Sequence, residues 1–137
     1  MLESIRLCPV KHTFQLLTKN PERIPNIQFP DNVWIGCTVT QPSELDLIDS
    51  IKKVKAKVRF ASFEPLLGSI NMLNIDKLSG IEWAIIGKLT GSRKVQLQPQ
   101  WVYGLVDALK AAGVPYFMKN NLYPVIPKEA ITREWPA

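Results

Sequence analysis

A chain of 137 residues has room for one hydrophobic core and little beyond it, which argues against two domains. With 46% apolar and 21% charged residues, it lies well outside the polar, aromatic-poor composition of disordered chains. Seventeen Lys and Arg against twelve Asp and Glu leave a net charge of +5, which favours anionic partners such as nucleic acid, phosphorylated ligands or anionic cofactors.

Five apolar, strand-like runs follow one another: "HTFQLLT" (12–18), "NVWIGCTV" (32–39), "KVRFASFE" (57–64), "IEWAIIGK" (81–88) and "VPYFMKN" (114–120). Runs this continuously apolar suit strands covered on both faces, as in parallel sheets, better than half-exposed hairpin strands. Between the first two, "NPERIPNIQFPD" carries three prolines and is expected to be loop with at most one helical turn. Between the second and third, "QPSELDLIDSIKKVKAK" is predicted to be a helix, with Ser43 as N-cap, Asp46 three residues on, and Leu47, Ile51 and Val54 on one stripe. Three of the basic run Lys52, Lys53, Lys55, Lys57 and Arg59 are then expected in that helix's last turn, where cations complement the dipole and are solvated. "LLGSINMLNIDKLSG" is expected to be irregular. In "QPQWVYGLVDALKAAGVP", Val102, Leu105, Val106 and Leu109 form an apolar stripe, and Gly113 supplies a stop before Pro115.

Strand and helix in alternation predict an α/β fold with a mostly parallel sheet of about five strands. Ligands of such sheets collect at the carboxyl ends of the strands. The polar exits there are Thr18, Lys19 and Asn20; Thr38, Thr40 and Gln41; Ser62 and Glu64; Gly87, Lys88 and Thr90; and Lys119 and Asn120. Glu64 is expected to meet Lys19, Lys88 or Lys119, as a carboxylate among ammonium groups at one rim. Such a cluster is either a salt-bridge network or the rim of an anion or cofactor site.

Other constellations carry less. "GKLTGSRK", framed by Gly87 and Gly91, lacks the order of a phosphate-binding P-loop. Cys8 and Cys37 lie far apart and only one histidine, His12, is present, so no metal site can be read from the spacing. Trp34, Trp83, Trp101 and Trp135 are scattered along the chain and are expected to pack in the core. The chain has no apolar run of the ~18 residues a membrane helix requires, and "MLESIRLCPV" is not built like a signal peptide. A cytoplasmic protein with free thiols and no membrane partner is expected.

"FQLLTKNP", "NVWIGCTVTQ", "KVRFASFEPLLG", "EWAIIGKLTG" and "AAGVPYFMKN" resemble, in order and wording, a phage-type family titled gp thirty-seven or gp sixty-eight, whose members are similar to radical S-adenosylmethionine proteins. The resemblance covers essentially the whole chain but only the later half of the family. It implies a partial, half TIM-like (β/α) barrel made of that barrel's last five strands. It places S-adenosylmethionine or a substrate against Thr18, Lys19, Thr38, Ser62 and Glu64, with Gly87 and Lys119 completing the candidate cofactor-binding set. Where the family usually shows a glycine pair, this chain has Gly87-Lys88, which sets a long cation where close backbone approach is expected. The family's 4Fe–4S cluster is held by cysteines that match no position here, so it is implied only if a missing N-terminal half supplies them. The resemblance further implies two exposed sheet edges and a partner that covers them, a second copy or a cysteine-bearing half. A basic nucleic-acid-binding module and an inactive truncated gene product are the alternatives to a radical S-adenosylmethionine-like protein that is not catalytic alone.

Overall fold

The computed structural model describes residues 12–89 and 96–137. Five strands form one parallel sheet in chain order: β1 (Phe14–Thr18), β2 (Val33–Thr38), β3 (Val58–Phe63), β4 (Trp83–Ile86) and β5 (Tyr116–Met118). Each lies within its predicted apolar run, and β5 begins only after Pro115, which has no N–H to give. Three helices lie in the crossovers: α1 (Asp46–Ile51), α2 (Ile75–Leu78) and α3 (Pro99–Ala111). Strands added in sequence with every crossover on one side produce the wall arrangement of a (β/α) barrel, without the reversal of strand order that marks doubly wound sheets.

Because strand side chains alternate, the sheet has two different faces. Val33, Ile35, Ala61, Phe63, Ala84 and Ile86 share the main core with the buried residues of the helices. Val58, Phe60, Trp83 and Ile85 form a second cluster on the opposite face, against Trp34 and Phe117. Gly36 is part of that packing. A methyl group there would come within 2.6 Å of Cδ2 of Phe60, so the glycine lets the ring lie across β2.

α3 matches its predicted stripe, with Val102, Leu105, Val106 and Leu109 buried and Gly113 ending it at φ +71°. α1 departs from expectation. Pro42–Glu44 forms a separate three-ten turn, Ser43 makes no capping bond, and the helix starts after Leu45 and spans only six residues. It stops at Ile51 because long-range contacts take over the next carbonyls. Arg59 donates to the Lys52 oxygen, and the Phe29 N–H (2.9 Å) and the Gln28 amide (3.2 Å) donate to that of Lys55. Lys52 caps the helix and Lys53 follows in the turn after it, but Lys55 and Lys57 lie beyond, in the connection to β3. The irregular stretch after β3 contains a capping box, in which Asn71 accepts from the Leu73 N–H and donates its own to Asn74, each at 3.0 Å, and then α2.

The two edges of the sheet are not both bare. Beyond β5 the chain turns back and runs antiparallel along it, with Arg133 opposite Phe117. The Met118 N–H donates to Thr132 at 2.9 Å and the Glu134 N–H to Tyr116 at 2.8 Å. No helix among the described residues is long and apolar enough to cross a membrane.

Candidate functional site

Strand register decides which predicted residues meet. Thr18 pairs with Cys37 and Thr38 with Ser62, so Lys19, one step beyond Thr18, stands level with Thr38 and Ser62. Phe63 pairs with Ile86, and Ile86 with Met118, so the next residues, Glu64, Gly87 and Lys119, form a second rank. Both ranks belong to the face away from the helices, at the carboxyl end of the sheet. Thr18 does not belong to them. It is one residue out of phase, and its hydroxyl accepts the Asn20 N–H at 2.9 Å, closing a local turn.

Glu64 finds its cation in Lys119. The ammonium lies 2.8 Å from Oε2 and 3.1 Å from Oε1, but only the Oε1 contact has hydrogen-bond alignment. Oε2 is closed off from solvent and has no aligned donor. Gly87 makes this placement possible, since a methyl group there would come within 2.8 Å of the Glu64 Cδ and closer still to Oε2. The Gly87 N–H donates to Phe63 and its carbonyl accepts from Leu66, both at 3.0 Å, so the backbone under the carboxylate is held on either side. The Glu64–Pro65 peptide is cis. Thr38 and Ser62 are the buried polar residues beside this pair, at 8% and 5% exposure.

Lys19 is on the same face but not a partner. The register sets it level with Ser62, two residues short of Glu64, and Lys19 is exposed. Lys88 also differs from expectation. Its N–H and carbonyl are gripped by the Asn121 amide at 3.3 and 3.1 Å, and its side chain lines a separate cavity of about 200 Å³ with Leu66 and Leu97. The cation therefore does not block approach to Gly87. Thr40 bonds to Glu44 at 2.5 Å and serves the turn before α1. Thr90 and Gly91 lie outside the described residues.

Cys37 belongs to the helix-covered face and is fully buried, and burial pushes its thiol up to about 12. A thiol in that state is neither a nucleophile nor a ready metal ligand. Among the described residues no cluster of three His, Cys, Asp or Glu could hold a metal ion, and Cys8 lies outside them. The described residues therefore do not fit an iron–sulfur cluster. At pH 8 a water-soluble alkylating reagent is expected to leave Cys37 unmodified in the folded chain and to label it fully in urea, read by peptide mass spectrometry. Equal labelling in both states would contradict the burial.

Three of the four tryptophans are gathered, not scattered. Trp83 lies edge-on to Trp34 at 5.6 Å and stacked on Trp135 at 5.3 Å, while Trp101 packs against the main core. No periodicity marks Trp135 or Arg133, because an antiparallel return against β5 is a long-range pairing. The basic run sits at the other end of the sheet and is divided. Arg59 is held by Glu82 in a two-pronged ion pair at 2.6 and 3.0 Å, which raises the guanidinium pKa, whereas Lys53, Lys55 and Lys57 are exposed.

No curated protein and no solved structure matches the chain. One family does, over residues 1–123, nine-tenths of the chain and all five strands. The chain accordingly belongs to the family described as "Protein of unknown function (DUF5131)".

Proposed function

We propose that this chain is one wall of a radical S-adenosylmethionine-like (β/α) barrel of the phage type, contributing a strand-end rim that binds S-adenosylmethionine or the substrate and not acting as a catalyst alone. The observation that carries this reading is the Glu64 carboxylate. One of its oxygens is enclosed without an aligned donor, over a glycine that leaves room for it. That oxygen lies 2.8 Å from the Lys119 ammonium without hydrogen-bond alignment, and an enclosed acceptor so incompletely satisfied calls for an explanation, which a ligand completing the bonding would supply.

The rim's donor set suits the ligand's polar parts. A carboxylate accepts from an ammonium group or a ribose diol, Lys119 matches a carboxylate, and the Thr38 and Ser62 hydroxyls serve either. When bound, S-adenosylmethionine would supply a sulfonium centre. The residues of this chain would hold and orient it. The thiolates for an iron–sulfur cluster would come from a cysteine-bearing segment or partner chain, set against the open face.

Titration calorimetry with S-adenosylmethionine tests the reading, using the chain alone and mixed with a cysteine-bearing segment of the same family. Binding heat is expected, and Glu64→Gln should weaken it about tenfold, the worth of one charge-assisted bond. No heat in either arm would sink the proposal. The exposed Lys53, Lys55 and Lys57 support a second reading, a nucleic-acid contact at the opposite end of the sheet, whose affinity would fall steeply with salt.

A further inference from the structure

Where the chain leaves β5 and returns along it, two adjoining cavities of about 430 and 440 Å³ share Asn120 and Arg133 as a common wall. Tyr123, Lys128 and Ile131 line the first, and Phe117, Lys119 and Asn121 the second. Three cations face this space, and no carboxylate lines either cavity. Lys119 is shared with Glu64. Lys128 and Arg133 have no ion-pair partner among the described residues, and each is steadied by an aromatic ring instead. The Lys128 ammonium lies 5.1 Å from the Tyr123 ring centre, and the Arg133 guanidinium 5.6 Å from that of Phe117. A ring fixes a cation without consuming its N–H donors.

We infer that this groove binds a phosphate group, carried by a nucleotide-class ligand. Two unneutralised cations with several free donors call for a compact dianion, whereas a single carboxylate would leave one charge unmatched. The backbone bridge between Phe117 and Arg133 sets the guanidinium in place before any ligand arrives. The Asn120 amide and the Tyr123 ring flank the space that a base or sugar would fill. Lys128, Ile131 and Arg133 lie beyond the residues that match the family, whereas Phe117, Lys119, Asn120, Asn121 and Tyr123 lie within them, so the groove's two unpaired cations come from the segment after the match. It does not require the S-adenosylmethionine reading and lies beside its rim.

The test titrates the full chain with adenosine 5′-monophosphate, inorganic phosphate, adenosine and a short oligothymidylate, on the wild type, Arg133→Gln, Lys128→Gln and Lys55→Gln. All three substituted side chains are exposed, and circular dichroism checks the fold. Phosphate and the monophosphate are expected to bind and adenosine not to. Each groove variant should weaken the monophosphate about tenfold, while Lys55→Gln, at the other end of the sheet, leaves it within about twofold. Oligothymidylate stronger than the monophosphate and lost in Arg133→Gln would identify a nucleic-acid phosphate; the reverse order would identify a free phosphorylated molecule. No phosphate binding, or equal weakening in Lys55→Gln, overturns the inference. Glu64→Gln should spare phosphate binding while weakening S-adenosylmethionine about tenfold, so the two readings fail separately.

Discussion

Trp83→Ala is expected to lower the unfolding free energy by about 3–5 kcal/mol, the usual range for removing a buried aromatic. The indole is 2% exposed and is the hub of the second cluster, with Trp34, Phe60, Phe117 and Trp135 around it at 5.3–6.2 Å. Its Nε1–H also donates to the Glu134 carbonyl at 2.8 Å, tying the returning tail to the sheet. A domain with about 5–15 kcal/mol in hand would lose about a fifth of its stability at the least and nearly all of it at the most. Urea titration followed by far-ultraviolet circular dichroism reads the change. Trp83→Phe should fall between, keeping part of the packing and losing the tail's bond. Trp135→Ala should cost much less, because that ring is already 59% exposed. A Trp83→Ala loss under about 1 kcal/mol would mean that the aromatic cluster does not organise this face.

Gly87→Ala is expected to change function far more than stability. The added methyl would meet the far end of the Glu64 side chain, which can swing away, so unfolding should cost about 1 kcal/mol or less. Swinging away breaks the Lys119 contact and empties the position beneath the rim. On the proposed reading, the affinity for S-adenosylmethionine should therefore fall about tenfold or more, as in Glu64→Gln. Stability measured on Gly87→Ala, Glu64→Ala and the double variant closes a cycle in which the methyl group becomes harmless once the carboxylate is gone. Strictly additive changes would show that Gly87 does not hold space for Glu64.

The parallel α/β sheet was legible from five uninterrupted apolar runs, and α3 from a stripe with a glycine stop, because both signals are local. α1 was misjudged over most of its predicted length. Its lysine-rich end has helical propensity, but Arg59 and Phe29, distant in sequence, claim the carbonyls that a longer helix would use. The candidate rim was legible as a set of strand-end residues but not as pairs. Lys19, Lys88 and Lys119 are equivalent by sequence, and only register makes Lys119 the partner of Glu64. Thr18 fell out for the same reason, since one step along a strand reverses the face.

The amino-acid sequence by itself determined the strand runs, the α3 stripe and the surplus of positive charge. These depend on residue type and near-neighbour spacing. Only the tertiary structure decided that Glu64 rests over Gly87 against Lys119, that Cys37 is sealed beneath the helices, and that the tail returns along β5 to bring Arg133 and Trp135 onto the open face. Those contacts join residues far apart in the chain. Their formation depends on strand register, on the alternation of faces and on which buried groups find a partner, none of which is encoded in any one short segment.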